Sequence, residues 1–464
     1  MGNMSTVIDQ LIEKARKAQH QIEYWSQEQV NQMALAVGWE NCKLENAEEI
    51  ALLAIEETQM GVYEHKVQKH QVKTLGVLRD LKGIKTTGVI ETDDEKGLIK
   101  IAKPVGVIGA LTPVTNCEAT LPVKGIYALI TRNAIIFAPH PKAKKTAKLV
   151  CEKIWAGLEK VGAPKDLVQM IEEPSIELSQ ELMSKVDLVV ATGGGPMVKA
   201  AYSSGKPAYG VGAGNAVVIV DETADLAEAA EKIYKGKSFD NATSCSSENS
   251  VVIQAGVYDR MISELEKQGG YLCDDRERGQ LQKALWPDGI HLNKDIVAQP
   301  IETIAAIAGL EISKDMKFLL AEGKQVSESN PFCKEKLSLV LTVWKYQDFD
   351  EAVQIVEEIT AINGSGHSCG IHTSREDRII QLGTRVKVSR VMVNQSQSLG
   401  NSGNFSNGMP FTLTLGCGSW GGNITSENIT WKHFINTTWV SKPIEMDRPS
   451  EEDIFGDYWK KFGK

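Results

Sequence analysis

Four short aliphatic runs, Val105–Leu111, Ala134–Ala138, Leu188–Ala191 and Val217–Val220, constrain the fold more than any other feature of the chain. Each is nearly continuous in apolar residues and is closed by Gly, Pro or Asp, and helical periodicity fills the stretches between them. Strands that alternate with helices form a parallel sheet, and strands without polar alternation are covered on both faces. The expected fold class is therefore α/β. From Ser5 to about Tyr63 the apolar residues recur at helical spacing, for example Val30, Met33, Ala34 and Val37. This predicts a helical opening. A helix over Ala224–Lys235 leads into SFDNATSCSSENSVVIQ, and a second α/β rhythm follows through Lys336–Val343 and Arg390–Val393, so a division is placed near Asp221. The polar, glycine-dotted run Asn394–Gly408 reads as a long loop, functional or disordered. The tail after Trp431 reads as an arm covering a neighbouring subunit.

With 464 residues the chain has room for two or three domains, and 42% hydrophobic against 24% charged residues is a folding composition. A formal charge of −9 argues against nucleic acid as a partner. No apolar run approaches the ~18–20 residues that span a bilayer, so no membrane partner and a cytoplasmic location are expected. Gly2 and Thr6 meet the outline of an N-terminal acylation signal, but no second membrane signal accompanies them. The eight cysteines show neither CxxC nor zinc-like spacing, so reduced thiols and no metal are expected.

Cys245 differs from the other cysteines in its flanks, Thr243, Ser244, Ser246 and Ser247, and in lying between a helix and a β-run. A nucleophilic thiolate needs access and nearby donors, which this setting offers; an inert cysteine is the equal alternative on these features alone.

Seven segments in order decide between them: PVGVIGALTPVTN (104–116), APHPKA (138–143), ATGGGPMVKAAYSSGKPAYGVGAGN (191–215), NATSCSSENS (241–250), CKEKLSLV (333–340), GSGHSCGIHT (364–373) and TLGCGSWGGN (414–423). Together they resemble the aldehyde dehydrogenase superfamily, and specifically its coenzyme A-acylating branch, over almost the whole chain. The resemblance implies a Rossmann-like cofactor domain with the helical opening (1–221), an α/β catalytic domain (222–425) and a C-terminal segment (426–464) that returns to the cofactor domain and forms a small oligomerisation arm. It implies a homodimer or a dimer of dimers. It makes Cys245 the nucleophile, passing through a thiohemiacetal and a thioester, with either Thr115 or Asn116 stabilising the oxyanion. His367 matches a histidine of the acylating branch that would deprotonate coenzyme A or orient the catalytic site; the remaining histidines read as structural. Hydrolytic relatives carry a water-activating Glu at the position matching Gly210, and its absence implies transfer to coenzyme A.

NADP, or NAD, is the implied nicotinamide. It would lie against Thr112, Pro113, His140, Pro141, Lys142, Thr192, Gly193, Gly194, Gly195, Val211, Gly212 and Glu335. Ala143 matches the acid that NAD-preferring relatives place on the adenine ribose, and Lys142, Lys144 and Lys145 favour a 2′-phosphate. The substrates implied are a small aldehyde and its acyl-CoA. Asn241, Thr243, Ser244, Ser396 and Asn404 are neutral donors suited to an anionic headgroup, which favours sulfoacetaldehyde, then succinate semialdehyde, then acetaldehyde. A nicotinamide-independent cysteine acyltransferase built on Cys245 and His367 is the reading from a different class.

Overall fold

The structure is a computed structural model and describes residues 6–464, so Gly2 lies outside the described residues. The helical opening comprises Val7–Ile22, Gln27–Cys42, Leu44–Thr58 and Tyr63–Leu81. Thr6 and Ser26 start the first two by accepting the backbone N–H of Asp9 and Gln29, whose side chains return the bond. The helix Cys117–Ile130 is buried along its whole length and contains Pro122. Proline leaves the carbonyl four residues earlier without its helical donor, and His70 Nδ1 meets that carbonyl, Glu118 O, at 2.9 Å.

A five-stranded parallel sheet runs in the order Val168–Met170, Ala134–Pro139, Val107–Thr112, Leu188–Thr192, Ala208–Val211. Every residue of Ala134–Pro139 and Val107–Thr112 is buried, as continuous apolar strands require. The chain builds outward first on one side of Val107–Thr112 and then on the other. That reversal opens a crevice at the carboxyl ends of Val107–Thr112 and Leu188–Thr192.

A second parallel sheet has seven strands, in the order Gly270–Leu272, Phe318–Glu322, Val340–Tyr346, Glu248–Gln254, Ala216–Val220, Cys369–His372, Val391–Val393. The run Val217–Val220 thus belongs to this sheet, and the chain crosses between sheets over residues 212–215, ahead of the division expected at Asp221. An apolar strand looks the same in sequence whichever sheet it joins. Gly88–Asp93, Leu98–Pro104 and Ile435–Ser441 form a third, antiparallel sheet that ties the C-terminal segment to the first half. Phe411 already packs into the first half's core, so contact with it begins before residue 426. The loop expected at Asn394–Gly408 contains the short helix Gln397–Gly400, and Gln397 and Asn401 are wholly buried. No described helix is long and apolar enough to cross a membrane.

Candidate active site

Cys245 follows a turn with unusual backbone: Asp240, Asn241 and Ala242 take φ of 52°, 51° and 60°, three successive non-glycine residues in the left-handed region. Such residues cost roughly 1–2 kcal/mol each and persist only where their surroundings fix them. The surroundings here are buried charges. Asp240 Oδ1 accepts Val62 N at 2.8 Å, and its Oδ2 accepts Lys69 Nζ at 2.6 Å, Lys66 Nζ at 3.2 Å and Thr243 Oγ1 at 2.8 Å. Glu118 completes a quartet, 2.8 Å from Lys69 and 3.7 Å from Lys66. Burial works against the ionised forms of Glu118 and Asp240, and the two ammonium groups overcome it, holding both carboxyls below their ordinary range.

The Cys245 thiol lies 3.1 Å from His367 Nε2, and His367 Nδ1 lies 2.9 Å from Ser368 Oγ, which also accepts Asn401 Nδ2 at 3.3 Å. Burial pushes the Cys245 thiol up to about 12, with the Glu335 carboxyl adding to it and the Arg390 guanidinium opposing. Burial, and then Arg390, lower His367 to about 3. Burial thus favours the uncharged forms of both, a thiol and a neutral imidazole. Gly214 permits this packing: a Cβ there would lie 1.7 Å from the Cys245 carbonyl oxygen.

Cys245, with His367 behind it, lines a cavity of about 430 Å³ that reaches the crevice of the five-stranded sheet. Among the expected residues Thr112, Pro113, Thr115, Asn116, His140, Pro141, Thr192, Gly193, Gly194, Val211, Gly212, Thr243, Ser244 and Glu335 line it. Thr112 Oγ1 and Glu335 Oε1 are buried there without a hydrogen-bond partner. A nicotinamide nucleotide, rich in hydroxyl and amide groups, fits these two orphaned atoms. Burial raises Glu335 to about 8, so it is mostly protonated at neutral pH.

Several expected placements are corrected. Ser396 donates to Lys232 O at 2.5 Å and Asn404 donates to Leu399 O at 3.3 Å, so both polar groups serve the loop and neither lines the cavity. Asn241 donates to Gly61 O at 3.3 Å and is likewise outside. Thr243 lines the cavity, but its hydroxyl proton is committed to Asp240. Gly195 opens the helix Gly195–Tyr202 behind the lining residues. Lys142 is exposed outside the cavity and donates its N–H to His140 Nδ1 at 3.1 Å. Ala143 is fully buried with Ala54 and Cys117 and does not reach the cavity, and Lys144 pairs with Glu173. A Cβ at Gly210 would meet Val198 at 2.7 Å and Tyr202 at 2.9 Å, so that position carries no side chain toward Cys245. Thr115 and Asn116 are separated by their partners: Lys69 Nζ donates to Asn116 Oδ1 at 2.7 Å, which turns Asn116 Nδ2 toward Thr243 O at 3.4 Å.

The sequence reading did not find Lys66, Lys69, Glu118 or Asp240. Lysines three residues apart on a helix read as a solvated face, and only the fold shows Lys66 to be fully buried and Lys69 nearly so. The run of Asp, Asn and Ala before the cysteine carried no glycine to mark the left-handed turn.

Residues 3–271 match the aldehyde dehydrogenase family. A sulfoacetaldehyde dehydrogenase of an Acholeplasma species is 54% identical over 97% of this chain and 94% of its own. A sulfoacetaldehyde dehydrogenase (acylating) of Bilophila wadsworthia is 48% identical over 99% of this chain and 100% of its own. The solved acetylating aldehyde dehydrogenase of Geobacillus thermoglucosidasius superposes with a TM-score of 0.92 at 35% identity, covering 96% of this chain and 98% of that one.

Proposed function

Because this chain belongs to the aldehyde dehydrogenase family, we propose that Cys245 and His367 convert a small anionic aldehyde to its acyl-CoA, with a nicotinamide nucleotide bound along the cavity. The observation that carries this is the 3.1 Å contact of His367 Nε2 with the Sγ of Cys245, which lines a cavity in which Glu335 is the one acid among the lining residues.

Attack of Sγ on the aldehyde carbon transfers the thiol proton to His367 Nε2, since a neutral imidazole in contact is the nearest base. Asn116 Nδ2 and the Cys245 backbone N–H stabilise the oxyanion of the thiohemiacetal. A bound nicotinamide supplies the hydride acceptor, or the donor in the reverse direction. Cys245 then carries a thioester. With no acid at Gly210 facing it, the thioester waits for the thiol of coenzyme A. His367, having released the first proton to solvent, takes that thiol's proton as its sulfur attacks the acyl carbon, and returns it to Cys245 Sγ as the bond between the acyl carbon and Cys245 breaks. The test is an aldehyde and acyl-CoA panel assayed with both nicotinamides, the products identified. Nicotinamide-independent acyl transfer would overturn the reading.

We assign sulfoacetaldehyde as the substrate, supported by the names of the two relatives. Ser244 supports an anionic headgroup, because it lines the cavity and its hydroxyl is bound only to Ser246. Ser244→Ile is expected to remove one charge-assisted hydrogen bond of about 1.5–3 kcal/mol, lowering kcat/KM at least ~10-fold for sulfoacetaldehyde. Propionaldehyde should be spared. Equal losses would mean that Ser244 only shapes the loop.

NADP(H) should serve at least as well as NAD(H). With Ala143 buried, Lys142 is the group placed to meet a 2′-phosphate, and Lys142→Glu should lower kcat/KM for NADP more than ~5-fold relative to NAD, on the order of 1 kcal/mol. An unchanged ratio would place the phosphate elsewhere. The eight free cysteines suit a reducing cytoplasm. The exposed Trp439 and Val440 on Ile435–Ser441, and Ile454, Phe455, Tyr458 and Phe462 on Glu451–Phe462, support an oligomer arm, in a homodimer or a dimer of dimers.

A further inference from the structure

We infer that Lys69 is a positioning residue: its ammonium fixes the rotamer of Asn116 and polarises the amide that receives the oxyanion, and Asp240 couples that setting to the Cys245 loop.

The ammonium can only donate, so the Asn116 atom 2.7 Å from Lys69 Nζ must be the carbonyl oxygen, and the amide nitrogen must face the other way. On that side it lies 3.3 Å from Thr115 Oγ1 and 3.4 Å from Thr243 O, two residues from Cys245. A cation on the amide oxygen draws charge from the N–H groups, and hydrogen bonds in a chain strengthen one another at low dielectric. The same ammonium contacts Asp240 Oδ2 at 2.6 Å, which accepts Thr243 Oγ1 at 2.8 Å. One cation thus bears on both partners of the developing alkoxide, the donor and the loop that carries the nucleophile. Lys66 does not touch the Asn116 side chain; it reaches Thr115 O at 3.4 Å and balances the two carboxylates. The four side chains are buried and sum to zero charge, so Lys69 can polarise Asn116 without adding net charge beside the thiol.

This inference rests on the oxyanion role given to Asn116 above, and the test separates the two. The readout is a double-mutant cycle on nicotinamide reduction by the aldehyde, using Asn116→Ala, Lys69→Met and their combination. Asn116→Ala should cost ~10²–10³-fold in kcat and Lys69→Met ~10–100-fold, with KM for the nicotinamide changed less than ~3-fold. The double variant should stay within ~3-fold of Asn116→Ala alone. Lys69→Arg should recover part of the loss. Should Lys69→Met fail to fold, Lys69→Met with Glu118→Gln removes one cation and one anion and leaves the Lys66–Asp240 pair. Multiplying losses, or a loss confined to thermal stability, would overturn the role of Lys69 while leaving the acylating reaction in place. A wild-type enzyme that reduces the nicotinamide but needs no coenzyme A would instead overturn the acylating reading, and the cycle would still decide on Lys69. A protein that oxidises no aldehyde would sink both.

Discussion

Cys245→Ala is expected to lower aldehyde-dependent nicotinamide reduction by at least ~10⁴-fold, because the covalent step has no other thiol to pass through. Cys417 and Cys369 are buried, and neither lines the cavity. Nicotinamide affinity should change less than ~3-fold, since the orphaned Thr112 Oγ1 and Glu335 Oε1 remain to receive the cofactor. Fluorescence titration of the nicotinamide and the initial rate, measured on one preparation, check both halves. Residual activity above ~1% of wild type would remove Cys245 from the mechanism. Cys245→Ser should fare no better, because a hydroxyl starts from a higher pKa than the thiol that burial already holds near 12.

Omitting coenzyme A should be almost as severe. One equivalent of nicotinamide per site should be reduced in a burst, followed by a steady rate at least ~10²-fold lower as water replaces the thiol. Gly210 faces Val198 and Tyr202, and the one carboxyl lining the cavity is Glu335, mostly protonated below its raised value of about 8. Protonated, it is no base; ionised, it is one. The slow release of free acid should therefore rise as pH passes through about 8, and Glu335→Gln should flatten that rise. The measurement is quenched-flow product analysis across pH 6–10. Sustained rapid release of free acid at pH 7 would show that water has another base.

The architecture was largely legible because its signal is local: Val107–Thr112, Ala134–Pro139 and Leu188–Thr192 are short apolar runs with clear ends, and burial on both faces makes such runs. What was not legible depends on which sheet a run joins, as Val217–Val220 shows, and on pairings far apart in sequence, such as Ile435–Ser441 with Leu98–Pro104. The site divided the same way. Cys245 and His367 stand in motifs and were found; Lys66 and Lys69 became visible only where Tyr63–Leu81 meets Cys117–Ile130 and the left-handed turn. Thr243 was named for its hydroxyl, and only the fold shows that this hydroxyl donates to Asp240. The polar run 394–408 illustrates the converse: Ser396, Ser398 and Asn401 donate to the backbone carbonyls of Lys232, Gly236 and Gln397, holding part of the run in the interior where composition read as a functional or disordered loop.

The quartet of Lys66, Lys69, Glu118 and Asp240 is almost wholly buried and sums to zero charge. Dissolved ions screen fields that pass through water, over about 8 Å at physiological ionic strength, and they screen a buried, neutral cluster far less. Added salt therefore leaves the reactive loop untouched and acts on exposed charges such as Lys142 and Lys145, whose pull on anionic ligands in solution it screens. Varying ionic strength thus isolates the arrival of the substrates from the chemistry that follows.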